Sequence, residues 1–227
     1  MASFRGPAPL QHTLIHGRIK TGVTVQTLHP HRFDRGQIIA QTPPSALEIP
    51  NGSDCTYEEL RDFISPICAD MLLGTIRQKL FVPPMKEVML AKQCGLERDL
   101  VHASKITTNM SIINWEQWDA DTIIRHNNAL GNLWDETTHE RCVGKSQAQK
   151  KRVIFHKLEL AEVAGFRGAL EPGSPVLIVR NGVKELLLST KEASKFIKPV
   201  NCTIEGRKSG TGYQTLLTLF RKSEEGS

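Results

Sequence analysis

The sequence predicts a mixed α/β segment followed by a small β-barrel. Three observations carry this. Residues 21–28 read as a strand leading into an Asp-x-Gly turn at Asp34-Arg35-Gly36. Residues 56–80 repeat apolar side chains at helical spacing. From Arg152 onward the period falls to two, and Arg180-Asn181-Gly182 gives a hairpin signal between two apolar runs. Several short strands after an α/β region indicate a barrel set behind it.

In chain order, Pro7 to His16 is expected as a short helix. Pro9 suits a first-turn position, Leu10, Leu14 and Ile15 share a face, and Gly17 can end it. In the strand that follows, Val23, Val25 and Thr27 fall on one face; Thr24, Gln26 and Leu28 fall on the other. Pro30 cannot donate to a ladder and should end the strand. Gly36 can take positive φ in the turn, and Ile38-Ile39-Ala40 is a second short strand. A carboxylate in a turn just past a buried strand is where open α/β sheets place ligand and catalytic groups, which makes Asp34 a candidate. Thr42-Pro43-Pro44 and Ile49-Pro50-Asn51-Gly52 are loops. Thr56 with Glu59 forms a capping box. Leu60, Phe63, Ile64, Ile67, Met71 and Leu72 then trace a helix to about Leu80, interrupted or kinked near Pro66.

Phe81-Val82-Pro83-Pro84 ends that helix, residues 85–102 read as a linker, and a second unit spans 103–222. Asp119 caps a helix that Gly131 ends. Arg152 to Val163 reads as a strand with Ile154, His156, Leu158 and Leu160 on one face; Phe196 to Ile204 reads as another, broken at Pro199. Lys222 to Ser227 is expected to be disordered.

Composition sets the limits. The chain has 227 residues, 39% apolar and 23% charged, a net charge of +5 and a pI near 9.0. No window approaches the ~20 apolar residues of a membrane span. Moderate basicity fits a polyanionic partner, though solubility alone would explain it. Cys55, Cys68, Cys94, Cys142 and Cys202 are odd in number and widely spaced, as expected in a reducing compartment. His139 and Cys142 are the one tight His/Cys pair, and no second pair stands at zinc-finger spacing, so no metal site is expected. The N-terminus has neither a signal-peptide nor a transit-peptide pattern.

Two stretches carry a family resemblance. Thr21-Gly22-Val23-Thr24 followed by the Asp34 turn resembles the segment around the catalytic aspartate of methionyl-tRNA formyltransferases, and Arg32-Phe33-Asp34 resembles the mitochondrial branch. Arg5-Gly6-Pro7-Ala8-Pro9-Leu10 is similar to a run upstream of it in that family. The resemblance implies the C-terminal part of a Rossmann-like formyltransferase domain over residues 1–84, then an OB-like tRNA-binding barrel. It implies formyl transfer from 10-formyltetrahydrofolate to the amino group of initiator methionyl-tRNA, in the mitochondrial matrix, by a monomer not held at a membrane. Asp34 would take the aspartate's place, and Arg5, Gly6 and Gly36 would border the substrate. Ala103-x-Lys105, Ile113-Asn114-Trp115, Pro172-Gly173 and Glu205-Gly206-Arg207-Lys208 resemble the tRNA-holding domain. Lys105 stands where the family meets tRNA. Lys150, Lys151, Arg152, Arg207 and Lys208 lie in basic runs beside strands, suited to phosphates; a charge run can equally be a solvated face.

The family's Asn-x-His motif should stand just upstream of Arg5, and Met1 to Phe4 contain neither residue. The expectation is an N-terminally truncated chain, impaired alone, with an exposed sheet edge. His29 and His31 are expected as loop residues, and His12 and His16 as surface or packing residues. Helix 123–130 and Gly131-Asn132-Leu133-Trp134 depart from the family pattern. Two other readings stay open: another formyltransferase-fold enzyme acting on a small substrate, and a non-catalytic RNA-binding protein.

Overall fold

The computed structural model describes residues 4–31, 36–43, 47–85, 101–144, 149–166, 168, 170–180 and 182–225. The chain divides into two compact units, Met1–Ile106 and Thr107–Ser227. Of the linker expected at 85–102, most lies outside the described residues; its last two residues are strand.

The first unit holds β1 (Phe4–Arg5), α1 (Pro9–Ile15), β2 (Lys20–Thr21), β3 (Thr24–Gln26), β4 (Ile38–Gln41), β5 (Leu47–Glu48), α2 (Tyr57–Arg77) and β6 (Val101–His102). Pro9 opens α1, where its missing N–H costs nothing, and Gly17 follows the helix at φ 62°. The single strand expected over 21–28 is two short ones. β2 pairs with β5 and β3 with β4, both antiparallel. Val23, between them, is held by Thr42: its N–H donates to Thr42 Oγ1 at 3.0 Å and its carbonyl accepts the Thr42 N–H at 3.0 Å. One residue's backbone and hydroxyl therefore fill the gap where the chain changes partner.

The capping box forms as the sequence indicates. Glu59 N–H donates to Thr56 Oγ1 at 3.3 Å, and Thr56 N–H donates to Glu59 Oε2 at 2.8 Å. Against expectation, α2 runs unbroken through Pro66. Pro66 and Asp62, whose carbonyl loses its partner, both lie on the exposed side, where water can take the orphaned acceptor. Leu60 and Ile64 are buried beneath the helix; Leu72, Leu73 and Ile76 on α2, then Leu80, Phe81 and Val82 after it, are exposed.

The second unit holds α3 (Ala120–Leu130), β7 (Leu133–Asp135), α4 (Thr137–Val143), β8 (Val153–Glu162), β9 (Pro175–Arg180), β10 (Val183–Ser189), β11 (Lys195–Ile204) and α5 (Gly212–Glu225). Its five strands form one sheet in the order β7-β8-β11-β10-β9, antiparallel throughout. The hairpin places Val183 opposite Arg180, with Gly182 at φ 76° in its turn; Asn181 lies outside the described residues. Asp119 caps α3, accepting the Thr122 N–H at 2.7 Å, and Gly131 ends it at φ 74°.

Strand β8 corrects the sequence reading of its faces. Val153, Phe155 and Leu158 are buried in the main core, so that face changes phase between Phe155 and Leu158, while Ala161 is buried on the opposite face with Leu187 and Phe196. The register with β11 shifts twice there: Val200 is passed over between Pro199 and Asn201, and His156 of β8 is passed over before Cys202 meets Phe155, so each strand carries one extra residue. Pro199 has no N–H to give, and an irregular register is where a sheet tolerates it, so the strand bulges there and does not break. The sequence reading lacked β7, α4 and α5. Lys222 to Glu225, expected as disordered, is the last turn of α5, and only residues 226–227 of that tail lie outside the description. Leu216 and Leu217 bury α5 against the sheet, and Gly212 seats it, because a Cβ there would stand 2.6 Å from the Cys202 carbonyl oxygen.

The core gathers Trp115, Ile123, Leu133, Phe155, Leu186, Leu188, Ile197, Ile204 and Leu216 around one buried carboxylate, Asp135. Asp135 accepts from Trp115 Nε1 at 2.7 Å, Thr137 Oγ1 at 2.9 Å and Thr138 Oγ1 at 2.8 Å. Burial pushes its pKa above the usual carboxylate value, against the pull of these donors. Asp135→Ala leaves the Trp115 and Thr138 donors buried and unpaired. Urea unfolding should show a loss of about 2–5 kcal/mol, with a native-like fold retained in Asp135→Asn at lower cost.

Candidate functional site

In the first unit, the residues singled out by sequence border two backbone contacts that only glycine permits. Arg5 and His102 are register partners in the parallel β1–β6 pair, and the Ala103 N–H donates to the Arg5 carbonyl at 2.7 Å. Gly6 follows at φ 135° with its backbone flush on Ala103, so any Cβ would collide with the Ala103 carbonyl oxygen. The Arg5-Gly6 segment is thus fixed against the chain that returns at Ala103, and the next residue but one, Ala8, packs into the core.

Gly36 does the same at the base of the Asp34 loop. A side chain there would run into the Thr27 carbonyl. Thr27 N–H donates to the Gln37 carbonyl and Gln37 N–H donates to Thr27 Oγ1, each at 2.9 Å. The loop leaving β3 therefore closes at Thr27 and Gln37, and Gly36 is its last residue before the closure. Asp34 itself, with Arg32, Phe33 and Arg35, lies outside the described residues. His29 and His31 are exposed in the same loop, the His31 N–H donating to His29 Nδ1 at 3.2 Å. His12 is buried in α1, with Nε2 3.0 Å from the Ser104 carbonyl, and stacks with His16 and Phe4. Lys105 is exposed at the end of this unit.

In the second unit, the two basic runs come together. Lys150, Lys151 and Arg152 enter β8; Arg207 and Lys208 leave β11. The Glu205 N–H donates to the Arg152 carbonyl at 2.9 Å, and the Arg152 N–H to Glu205 Oε2 at 3.2 Å, so the strand ends are tied side by side. The Arg152 guanidinium lies 4.1 Å over the Trp134 ring and 3.9 Å from Glu136. Lys150, Arg207 and Lys208 are exposed and Lys151 is partly so. Close behind them stands His139, in the first turn of α4 and 9% exposed. Burial chiefly, then the charges of Lys151 and Arg207, hold its pKa below the ordinary histidine value, partly offset by the backbone of Gln149. The pull of both cations on one imidazole places Lys151 and Arg207 at one locality. A cationic edge with an aromatic ring beneath it can hold phosphates and stack a planar group.

Trp134 and His139 were not among the sequence candidates. The signal for Trp134 was present in Leu133-Trp134-Asp135, an alternation too short to read as a strand. Nothing in sequence brings His139 to residues 151 and 207.

A family model described as Formyl transferase matches residues 1–64. The mitochondrial methionyl-tRNA formyltransferase of Saccharomyces cerevisiae is 29% identical over 204 residues, covering 82% of this chain and 48% of that protein. The mitochondrial methionyl-tRNA formyltransferase of Homo sapiens is 33% identical over 130 residues, covering 57% of this chain and 31% of that protein. The chain spans less than half the length of these curated relatives. Among solved structures, two variants of HypX from Aquifex aeolicus align at TM-scores of 0.53 and 0.51, at 14% and 18% identity, over 97% and 96% of this chain and 34% of theirs. At that identity the likeness concerns the fold alone. The resemblance read from Arg5–Leu10 and Thr21–Gly36 is borne out by these matches.

His139 gives the second unit a signed pH dependence. Its native pKa lies below 6.5, so the unfolded chain binds the proton first as pH falls. This contribution is present above about pH 6.5 and is lost as pH drops toward the native value. Urea unfolding between pH 5 and 8 should show stability falling on the acid side of that window, and His139→Gln should flatten the slope.

Proposed function

We propose that this chain serves formyl transfer from 10-formyltetrahydrofolate to the amino group of initiator methionyl-tRNA, in mitochondria. The observation that carries the reading is the 204-residue match to a mitochondrial methionyl-tRNA formyltransferase, which takes in both units. In this reading the five-stranded sheet of the second unit, which among the described residues has no β7–β9 pair to close it into the expected barrel, holds the tRNA, and its cationic edge meets the phosphates. Lys105 adds a further phosphate contact from the first unit.

In this reading the attacking amine must lose a proton, and the carbonyl oxygen of the formyl group gains charge as the bond forms. Asp34 is the carboxylate that orients the proton-transfer group. The closure at Thr27–Gln37 and the close seat of Gly36 support it, because they fix where the Asp34 loop starts and ends. Arg5 and Gly6 line the substrate side. The formyl-folate supplies the one-carbon group; this chain's residues hold and orient.

The test is formyl transfer to charged initiator tRNA by this chain and by a version carrying an in-frame Asn-x-His segment upstream. The longer version should be active, and Asp34→Asn should lower its kcat by about 10²- to 10⁴-fold while the methionyl-tRNA Kd stays within a few-fold. An active Asp34→Asn would overturn the assignment. Binding of tRNA with no activity in either version would favour a non-catalytic RNA-binding role.

A further inference from the structure

Strand β7 presents its residues alternately. Leu133 and Asp135 are buried and Trp134 between them is half-exposed on the outer face. Trp134 is the register partner of Ile154, and Ile154 of Thr203, so the three form one row across β7, β8 and β11. The next row is polar. The His156 ring spans from Asn132 Oδ1 at 2.6 Å to Thr203 Oγ1 at 2.8 Å. The segment after β11 folds back onto this face, since the Gly210 N–H donates to Thr203 Oγ1 at 3.0 Å. Arg207 and Lys208 are carried in that segment, and Lys151 and Arg152 stand just before β8 begins. The outer face is thus an indole and an aliphatic side chain in register with an imidazole beyond them, and cations along one end.

We infer that this face binds single-stranded RNA, one base stacking on Trp134 in the place the Arg152 guanidinium occupies. The inference rests on the tRNA reading of the cationic edge and adds to it the strandedness of the RNA and the residue that reads it. Arg152 is held over the indole by a cation–π contact and by an exposed ion pair to Glu136 at 3.9 Å, both weak. A base can displace it from the ring while the guanidinium keeps its ion pair with Glu136. A paired base offers no open face to Trp134, so a duplex meets only the cations. Glu136 and Glu205 stand beside Arg152 and repel a phosphate there, which sends the backbone along the Lys151 and Arg207 side.

The test uses the full chain, a labelled ten-nucleotide single-stranded RNA and a blunt-ended, fully paired RNA duplex, compared at equal phosphate concentration and one fixed salt concentration. The single strand should bind more tightly than the duplex and quench tryptophan emission. Trp134→Leu, which keeps an apolar side chain beside Ile154, should weaken single-strand binding about 5- to 150-fold and leave the duplex unchanged. Trp134→Phe should keep most of the affinity but lose the quench, with Trp115 and Trp118 as the remaining fluorophores. Equal binding of both RNAs, with affinity and quench indifferent to Trp134, would overturn stacking and leave the cationic edge standing. Binding of neither RNA by the unaltered chain, or by contrast an unchanged affinity in Lys151→Glu/Arg207→Glu, would overturn the tRNA reading of that edge.

Discussion

The carboxylate of Asp135 is the constraint on which the second unit depends. A buried carboxylate is costly unless donors surround it. Here the indole of Trp115, the hydroxyls of Thr137 and Thr138 and the Thr138 N–H supply them. Those donors come from two pieces of chain: the segment before α3, and the two residues that open α4. Satisfying Asp135 therefore docks Trp115 into the core, starts α4 and aims β7 inward. Strand alternation does the rest. With Leu133 and Asp135 facing in, Trp134 has to face out, beside β8. The outward-facing, half-buried ring at the cationic edge is a consequence of the buried charge one residue away.

The first unit is built on a different economy. Its strands are two to four residues long and pair only in twos. Such pairs are too short to stand alone, so position is fixed by close backbone approach and by α1 and α2. Gly6 on Ala103 and Gly36 on Thr27 are where a side chain would force the backbones apart. Both sit beside residues the family resemblance had marked. In the sequence they look like turn glycines; in the structure their role is contact distance.

How much of this was legible follows from the range of each interaction. Local signals were read well: the capping box of Thr56 and Glu59, the cap at Asp119 with the stop at Gly131, and the Gly182 hairpin all depend on residues within a few positions of one another. The faces of β8 differ from strict alternation because His156 is an extra residue opposite a second irregularity on β11, more than forty residues on, where Pro199 has no N–H to give. The passage of α2 through Pro66 turned on which side of the helix met water. Helix α5 carries a helical spacing in Tyr213, Leu216, Leu217 and Phe220 that is legible in the sequence beside its polar tail. The site residues of the first unit came from resemblance, and the convergence of residues 150–152 with 207–208 came from the pairing of β8 with β11.

That convergence also gives meaning to a net charge that means little by itself. A charge of +5 spread over 227 residues is ordinary. Several lysines of the second unit are spoken for: Lys195 lies 2.7 Å from Asp121, and Lys198 lies 2.6 Å from Glu185. Among the described residues no such ion pair neutralises Lys151 or Arg207, and both press on the one buried imidazole of His139. A cation left unpaired next to another cation is a poor arrangement for stability alone, since each raises the cost of the other. It becomes favourable when a polyanion supplies the missing charge, and its strength then falls steeply with salt. The placement of charge along the ends of β8 and β11, more than its amount, is what suits this unit to a phosphate backbone.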